Sequence, residues 1–201
     1  MALMAIENLA EDVRLGMWKI EETPEEMVQS HASLQPVYEN LEQYRSDVRK
    51  MEKLSIYALL FEMTGDESLR ITYNPVSKPL VEGYRISISH TKGYVVLILS
   101  RQRNVAVDIE YMSDRINKIV KKFIRDDEHA PDTLSRLIHW SVKETIYKLF
   151  SAENLDYFEM KVSPFTLENQ GFVGVEDLKT EKRQQAFYRV NDAYVLTYAY
   201  Q

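Results

Sequence analysis

Residues 13–20, Val13-Arg14-Leu15-Gly16-Met17-Trp18-Lys19-Ile20, read as a strand, and Thr23-Pro24-Glu25-Glu26 then has the cap and proline of a helix start. Apolar spacing predicts a long helical region over about 36–63, stopped by Thr64-Gly65-Asp66. Ile71-Thr72-Tyr73 reads as a short strand, followed by a loop through Pro75 and Pro79 and a hairpin of residues 84–89 with 94–100. A further strand at 105–110 places Asp108 and Glu110 side by side on one face, because residues i and i+2 of a strand point the same way, while Val107 and Ile109 enter the core. Helices are expected at about 114–124 and 132–150. In the second, Ile138, Val142, Thr145 and Leu149 form a core-facing stripe at i, i+4, i+7 and i+11, with Trp140, Glu144 and Lys148 on a different flank. The chain closes with strands whose last hairpin turns at Asn191-Asp192.

The two halves of this pattern resemble each other. Ser55-Ile56-Tyr57-Ala58-Leu59-Leu60 parallels Thr145-Ile146-Tyr147-Lys148-Leu149-Phe150, and Gly93-Tyr94-Val95-Val96 parallels Ala193-Tyr194-Val195-Leu196, in the same order of helix, strand, loop and hairpin. The fold expected is therefore α+β, a pseudo-duplicated architecture of two halves, 1–103 and 104–201. Each half is a small, mostly antiparallel sheet packed with helices, with the active site in the cleft between them. One chain with two halves can complete such a cleft, so a monomer is expected.

Composition narrows the chemistry. The absence of cysteine excludes disulfides, thiolate zinc sites and a cysteine nucleophile, and the four scattered histidines offer no close pair for a metal, so any metal here should have oxygen ligands. A formal net charge of −6 argues against general nucleic-acid binding, which needs a basic surface. The first residues meet an acid at Glu7, too early for a secretory signal, and no stretch approaches the roughly 20 apolar residues of a membrane span. A cytoplasmic protein without membrane attachment is expected.

Asp108 and Glu110, answered by Glu144 in the segment that begins some thirty residues on at Trp140, make three hard oxygen ligands with ammonium groups beside them. Such a set suits Mg²⁺ and a phosphate chain, since the ion bridges carboxylate and phosphate oxygens. Taken alone, Glu144 and Lys148 form an i, i+4 surface pair worth a few tenths of a kcal/mol. The combination is more specific than its parts. Asn74-Pro75-Val76-Ser77-Lys78-Pro79-Leu80, Ile86-Ser87-Ile88-Ser89-His90-Thr91, Val105-Ala106-Val107-Asp108-Ile109-Glu110 and Trp140-Ser141-Val142-Lys143-Glu144, with Lys148 beyond, resemble in order the motifs of the two-domain 4′-phosphopantetheinyl transferases. The likeness runs from about residue 15 to residue 150.

That resemblance implies an enzyme that moves phosphopantetheine from coenzyme A to a serine of an apo acyl or peptidyl carrier protein, with Mg²⁺ as cofactor and adenosine 3′,5′-bisphosphate as the second product. It implies Asp108, Glu110 and Glu144 as metal ligands. Arg49, Lys78, Pro79, Ser89, His90, Lys143 and Lys148 become coenzyme contacts, and Glu144, His90 and Lys148 the catalytic set. Glu144 and water on the metal both stand as candidates for the base. Glu128, in Phe123-Ile124-Arg125-Asp126-Asp127-Glu128, matches a family glutamate, with a solvated acidic turn as the other reading.

The chain departs from the family pattern at Ser77 and Ala106, where glycine is usual, and at Tyr57, where an arginine is expected for the coenzyme's 3′-phosphate. These departures keep open a second reading, a non-catalytic regulator that binds coenzyme A or a carrier protein. Finally, Arg115, Lys118, Lys122 and Arg125 recur at i, i+3, i+7 and i+10 of the expected helix. This cationic stripe in an acidic protein is a candidate dock for an acidic carrier protein.

Overall fold

The computed structural model describes residues 3–41 and 43–201. The chain divides into two compact units, Met1–Arg103 and Asn104–Gln201.

In the first unit, β1 (Leu3–Ala10) and β2 (Val13–Lys19) form a hairpin, then α1 (Pro24–Ser30) and α2 (Gln35–Glu39) lead to α3 (Asp47–Thr64). Thr23 starts α1 with a capping box, its side chain accepting from Glu26 N while the Glu26 carboxylate accepts from Thr23 N at 2.9 Å. The single long helix expected over 36–63 is instead two helices. Helical hydrogen bonding lapses after Asn40 and resumes after Ser46, and residue 42 within that stretch lies outside the described residues. The stop is as expected: Gly65 takes φ 70°, the left-handed cap that glycine adopts without strain. Short strands β3 (Thr72–Tyr73) and β4 (Pro79–Leu80) pair with each other, and the hairpin of β5 (Arg85–Thr91) and β6 (Tyr94–Ser100) completes the unit. The four longer strands run antiparallel in the order β1-β2-β6-β5. Met51, Leu54, Ala58 and Leu59 on α3 bury one helix face with Trp18, Val95, Leu97 and Leu99. Gly16 makes the approach possible, since a Cβ there would lie 2.6 Å from Met63 Sδ and 3.0 Å from Leu59 Cδ2.

The second unit opens with β7 (Val105–Tyr111) and continues through 3₁₀ turns at Asp114–Lys118 and Val120–Lys122 to α4 (Thr133–Leu149). Then come β8 (Met160–Val162), β9 (Gln170–Asp177), β10 (Lys182–Val190) and β11 (Tyr194–Tyr200) in an antiparallel sheet ordered β7-β11-β10-β9-β8. Asp132 caps α4, accepting from Ser135 N at 2.8 Å. The expected stripe is buried throughout, Ile138, Val142, Thr145 and Leu149 each being at most 5% exposed. The Asn191 side chain closes the last hairpin, accepting from the backbone of Ala193 and Tyr194 at 2.9 Å.

The helix expected at 114–124 is not an α-helix. Ser113 Oγ caps Arg115 N, and the chain tightens into 3₁₀ turns that bury Ile116 and Phe123. The spacing of Arg115, Lys118, Lys122 and Arg125 therefore does not build one helical stripe. Arg115, Lys118 and Lys122 are exposed together with Lys121, whereas Arg125 is held by Asp127 at 2.8 Å. Among the described residues, no helix is long and apolar enough to cross a membrane.

Candidate active site

β7 turns Ala106, Asp108 and Glu110 to the side on which α4 packs. Ala106 belongs to the apolar core shared with Val142 and Ile146, and Val107 and Ile109 are buried on the other face. At position 106 the backbone is ordinary strand, paired with Ala199, so the alanine that replaces glycine is filled space and not strain.

Asp108 is buried, 4% exposed, and held at both oxygens. Ser141 Oγ donates to its Oδ2 at 2.9 Å, and Lys148 Nζ donates to its Oδ1 at 2.7 Å and to Val107 O at 3.1 Å. Ser141 and Lys148 lie two turns apart on α4. A lysine on a helix leans toward the N-terminus, which brings the Lys148 ammonium back over β7. The i, i+4 pair of Glu144 with Lys148 is thus replaced by a half-buried pair across to the strand.

Glu110 accepts from Trp140 Nε1 at 2.7 Å, and Glu144 Oε1 accepts from the Tyr157 hydroxyl. Burial, with the Asp108 charge second and the Glu144 charge adding to it, pushes Glu110 up to about 7 against the opposing Trp140 hydrogen bond. Burial also raises Glu144, with the Tyr157 hydroxyl opposing and Asp108 adding. The Tyr157 hydroxyl is itself raised, by burial and then by Glu144. The three carboxylates therefore share one electrostatic environment.

Each carboxylate nonetheless faces its own donor. Among the described residues, no three acidic or histidine side chains are grouped as a metal ion would require. The chemistry of the set still fits a hard divalent cation: all donors are oxygens, and their mutual repulsion is what such an ion relieves.

Lys143 is not where the sequence put it. It is fully buried, and its ammonium donates to Phe123 O at 2.6 Å, Glu128 Oε2 at 2.8 Å and Tyr157 O at 3.0 Å. Three protons with three acceptors leave none for a phosphate. Burial lowers its pKa, with Glu128 opposing. Glu128 is no solvated turn either: its side chain is buried and accepts from Arg125 N at 2.9 Å and Val162 N at 2.7 Å besides Lys143. The pair ties the 3₁₀ segment and the Tyr157 turn to α4. Trp140 lies between Phe123 and Tyr157, at ring distances of 5.2 and 5.1 Å.

In the first unit, His90 near the end of β5 and Arg49 in the first turn of α3 meet, His90 Nε2 lying 3.0 Å from Arg49 Nη1. Glu52 joins both, 2.8 Å from Arg49 and 3.4 Å from His90. Beside them is a cavity of about 530 Å³ lined by Ile20, Thr23, Met51, Glu52, His90 and Lys92 among others. Ser89 is buried in β5 opposite Val96. Lys78 donates its backbone N–H to Asn74 Oδ1 at 2.8 Å in the turn before β4, where Pro79 pairs with Tyr73. Ser77 in that turn has φ 60°, the left-handed conformation for which glycine is preferred. Tyr57 does not stand free in place of an arginine: its hydroxyl accepts from Ile71 N at 3.1 Å and pins the segment after α3.

Spacing gave no sign of Tyr157, Thr197 or the buried role of Glu128. Their contacts depend on a 3₁₀ turn thirteen residues past Glu144, on the pairing of β11 with β7, and on a loop fifteen residues before Lys143.

Residues 104–199 match the family model of the 4′-phosphopantetheinyl transferase superfamily. The matched segment holds β7, α4 and every residue of the carboxylate wall. No curated protein matches the chain.

Proposed function

We propose that the protein transfers 4′-phosphopantetheine from coenzyme A to a serine hydroxyl of an apo acyl or peptidyl carrier protein, in a Mg²⁺-dependent reaction that releases adenosine 3′,5′-bisphosphate. The observation that supports this reading is that Asp108 and Glu144 both raise the proton affinity of Glu110, and Asp108 that of Glu144, with Lys148 paired to Asp108 beside them. The family match supports phosphopantetheinyl transfer in general. The donor, the metal and the acceptor are parts of the proposal.

Asp108, Glu110 and Glu144 would hold Mg²⁺, which supplies positive charge against the pyrophosphate and its developing negative charge. Lys148, anchored on Asp108 and Val107 O, places an ammonium where a phosphate oxygen can accept from it. Glu144 is the carboxylate proposed to take the serine proton as the serine oxygen bonds to phosphorus and the bond to the bisphosphate breaks. Tyr157 donates to one oxygen of Glu144 and limits how that carboxylate can turn. Arg49, Lys78, Pro79, Ser89 and His90 are proposed as the first unit's coenzyme contacts. Lys143 leaves that set, because its ammonium is consumed inside the fold.

For the carrier, exposed Arg115, Lys118 and Lys122 supply positive charge close after the metal strand. Reversing Arg115 and Lys118 to glutamate is expected to raise the carrier KM severalfold and flatten its salt dependence. Unchanged carrier kinetics would remove that part.

The central test incubates the protein with coenzyme A, Mg²⁺ and a panel of apo carrier proteins and follows intact carrier mass. The expected result is a mass gain of one phosphopantetheine that requires Mg²⁺ and is lost in Asp108→Ala. Coenzyme A binding with no gain on any carrier would instead identify a binding protein without transferase activity.

A further inference from the structure

Three fully buried hydroxyls, on Ser141, Thr145 and Thr197, lie behind Asp108. Thr197 sits directly across from Asp108 in the β7–β11 pairing. Its Oγ1 is 2.8 Å from Ser141 Oγ, 2.9 Å from Ser141 O and 2.6 Å from Thr145 Oγ1.

Proton counting fixes the direction of this chain. An ionised carboxylate only accepts, so Ser141 must spend its single proton on Asp108 Oδ2. Thr197 must then donate to Ser141, through Oγ or the carbonyl, and Thr145 must donate to Thr197. With the Thr197 proton on Ser141 Oγ, the bonds align head to tail and polarise one another, and the row ends in a strengthened donor aimed at the carboxylate. Without Thr197, the Ser141 hydroxyl is free to turn back to a carbonyl of its own helix, the usual local alternative for a helical serine.

The first unit supplies an internal control. Its strand β2 pairs with β6 as β7 pairs with β11, and Gly16 stands in the fourth position of β2 as Asp108 does in β7. Opposite Gly16 is Leu97, a buried apolar residue, where Thr197 stands opposite Asp108. Where the strand carries no carboxylate, the hydroxyl across the pairing is absent as well. A buried hydroxyl pair adds only about 1 kcal/mol to folding, so packing alone gives little reason to keep three of them in a core that leucine and methionine fill elsewhere.

We propose that Thr197, supported by Thr145, is a positioning residue that keeps the Ser141 proton on Asp108 and so fixes the carboxylate for a divalent cation. The proposal rests on the reading of Asp108 as a metal ligand.

The test measures Mg²⁺ affinity of the full chain by calorimetry for wild type, Thr197→Val, Thr197→Ser and Asp108→Asn. Thr197→Val keeps the shape and removes the hydroxyl, and is expected to weaken Mg²⁺ about tenfold, the scale of lost ligand-orienting hydrogen bonds. Thr197→Ser, which restores the hydroxyl, is expected to bind within about twofold of wild type. Asp108→Asn should bind weakest. Should Asp108→Asn fall while Thr197→Val binds as wild type, the positioning role is wrong and the metal reading stands. Equal losses in Thr197→Val and Thr197→Ser would show that packing, not the hydroxyl, matters. If Asp108→Asn leaves affinity unchanged, the metal reading fails and this proposal with it. In the event that Thr197→Val does not fold, Thr145→Val against Thr145→Ser asks the same question one step further from the carboxylate.

Discussion

Gly16 and Asp108 hold the same position along their strands and lead to opposite interiors. Each is the fourth residue of a seven-residue strand that pairs antiparallel with the last strand of its unit, and each faces the unit's long helix. At Gly16 the missing side chain lets Leu59 and Met63 of α3 press on the strand. At Asp108 the helix answers with Ser141 and Lys148. One arrangement of strand and helix can thus close over an apolar contact or over a buried carboxylate, depending on a handful of side chains. The second costs more to hold, because a buried charge needs partners at each oxygen.

Forcing the first interior to resemble the second is expected to have the largest effect. Gly16→Asp puts a side chain into Met63 and Leu59 and a carboxylate among apolar atoms with no donor, and should cost roughly 3–5 kcal/mol of stability, read by urea unfolding. A loss below about 1 kcal/mol would mean that α3 is not seated as closely as Gly16 implies.

Lys143→Met strips the cation from buried Glu128 and is expected to cost about 3 kcal/mol, while Lys143→Met with Glu128→Gln should recover a good part of that. A lysine of α3, Lys53, instead donates to the Tyr73 hydroxyl at the surface at 2.8 Å. Lys53→Met should change stability by less than about 0.5 kcal/mol. Equal costs at the two positions would erase the distinction between the interiors.

Glu110 sharpens the comparison through pH. Its folded pKa of about 7 lies above the ordinary glutamate value of 4.5, so between these pH values the folded state holds a proton that the unfolded state has lost. In the absence of metal, stability from this group is present below about pH 4.5 and lost as pH rises through 7, by roughly 2 kcal/mol after allowance for partial solvent screening. Melting curves in chelator from pH 5 to 8 should show this decline in wild type and a flatter profile in Glu110→Gln. Added Mg²⁺ at pH 8 should restore wild type alone. Parallel profiles for the two proteins would reject the assignment.

The smallest effect is expected at Ser77. Left-handed backbone costs a non-glycine residue about 1–2 kcal/mol, partly offset by the greater chain entropy of glycine when unfolded, so Ser77→Gly should stabilise by roughly 0.5 kcal/mol. A loss of stability would show that Ser77 makes compensating contacts.

Periodicity carried much of the fold and less of the site. α4, the capped start of α1 and the hairpins follow from local spacing and turn chemistry, and those parts of the reading hold. The strand Leu3–Ala10 was missed, because Leu3-Met4-Ala5-Ile6-Glu7-Asn8-Leu9-Ala10 has no clean alternation and its residues are only partly buried. The helix expected at 114–124 failed because Ile116, Ile119, Val120 and Phe123 fit a helical face, yet the chain is held by Ser113 at one end and by Lys143 on Phe123 O at the other. Strand and helix spacing singled out Asp108, Glu110, Glu144 and Lys148 as one candidate set. Lys143 was misread because its neighbour Glu144 made it look like part of the same polar flank, whereas the helix turns it inward to an acid carried by a distant loop. Thr197 lay beyond any local signal, since only the pairing of non-consecutive strands brings it to Asp108.

Gly16 also bears on how such a chain can change over generations. A carboxylate at that position cannot arrive by one tolerated substitution: Leu59 and Met63 must first shrink and donors must first appear on α3, and each such step alone leaves a void or an unpaired polar group. The reverse path from Asp108 is as steep, because Lys148 and the hydroxyl row would be stranded. The division between the two units is therefore a ratchet, in which either interior is reached only through intermediates worse than both.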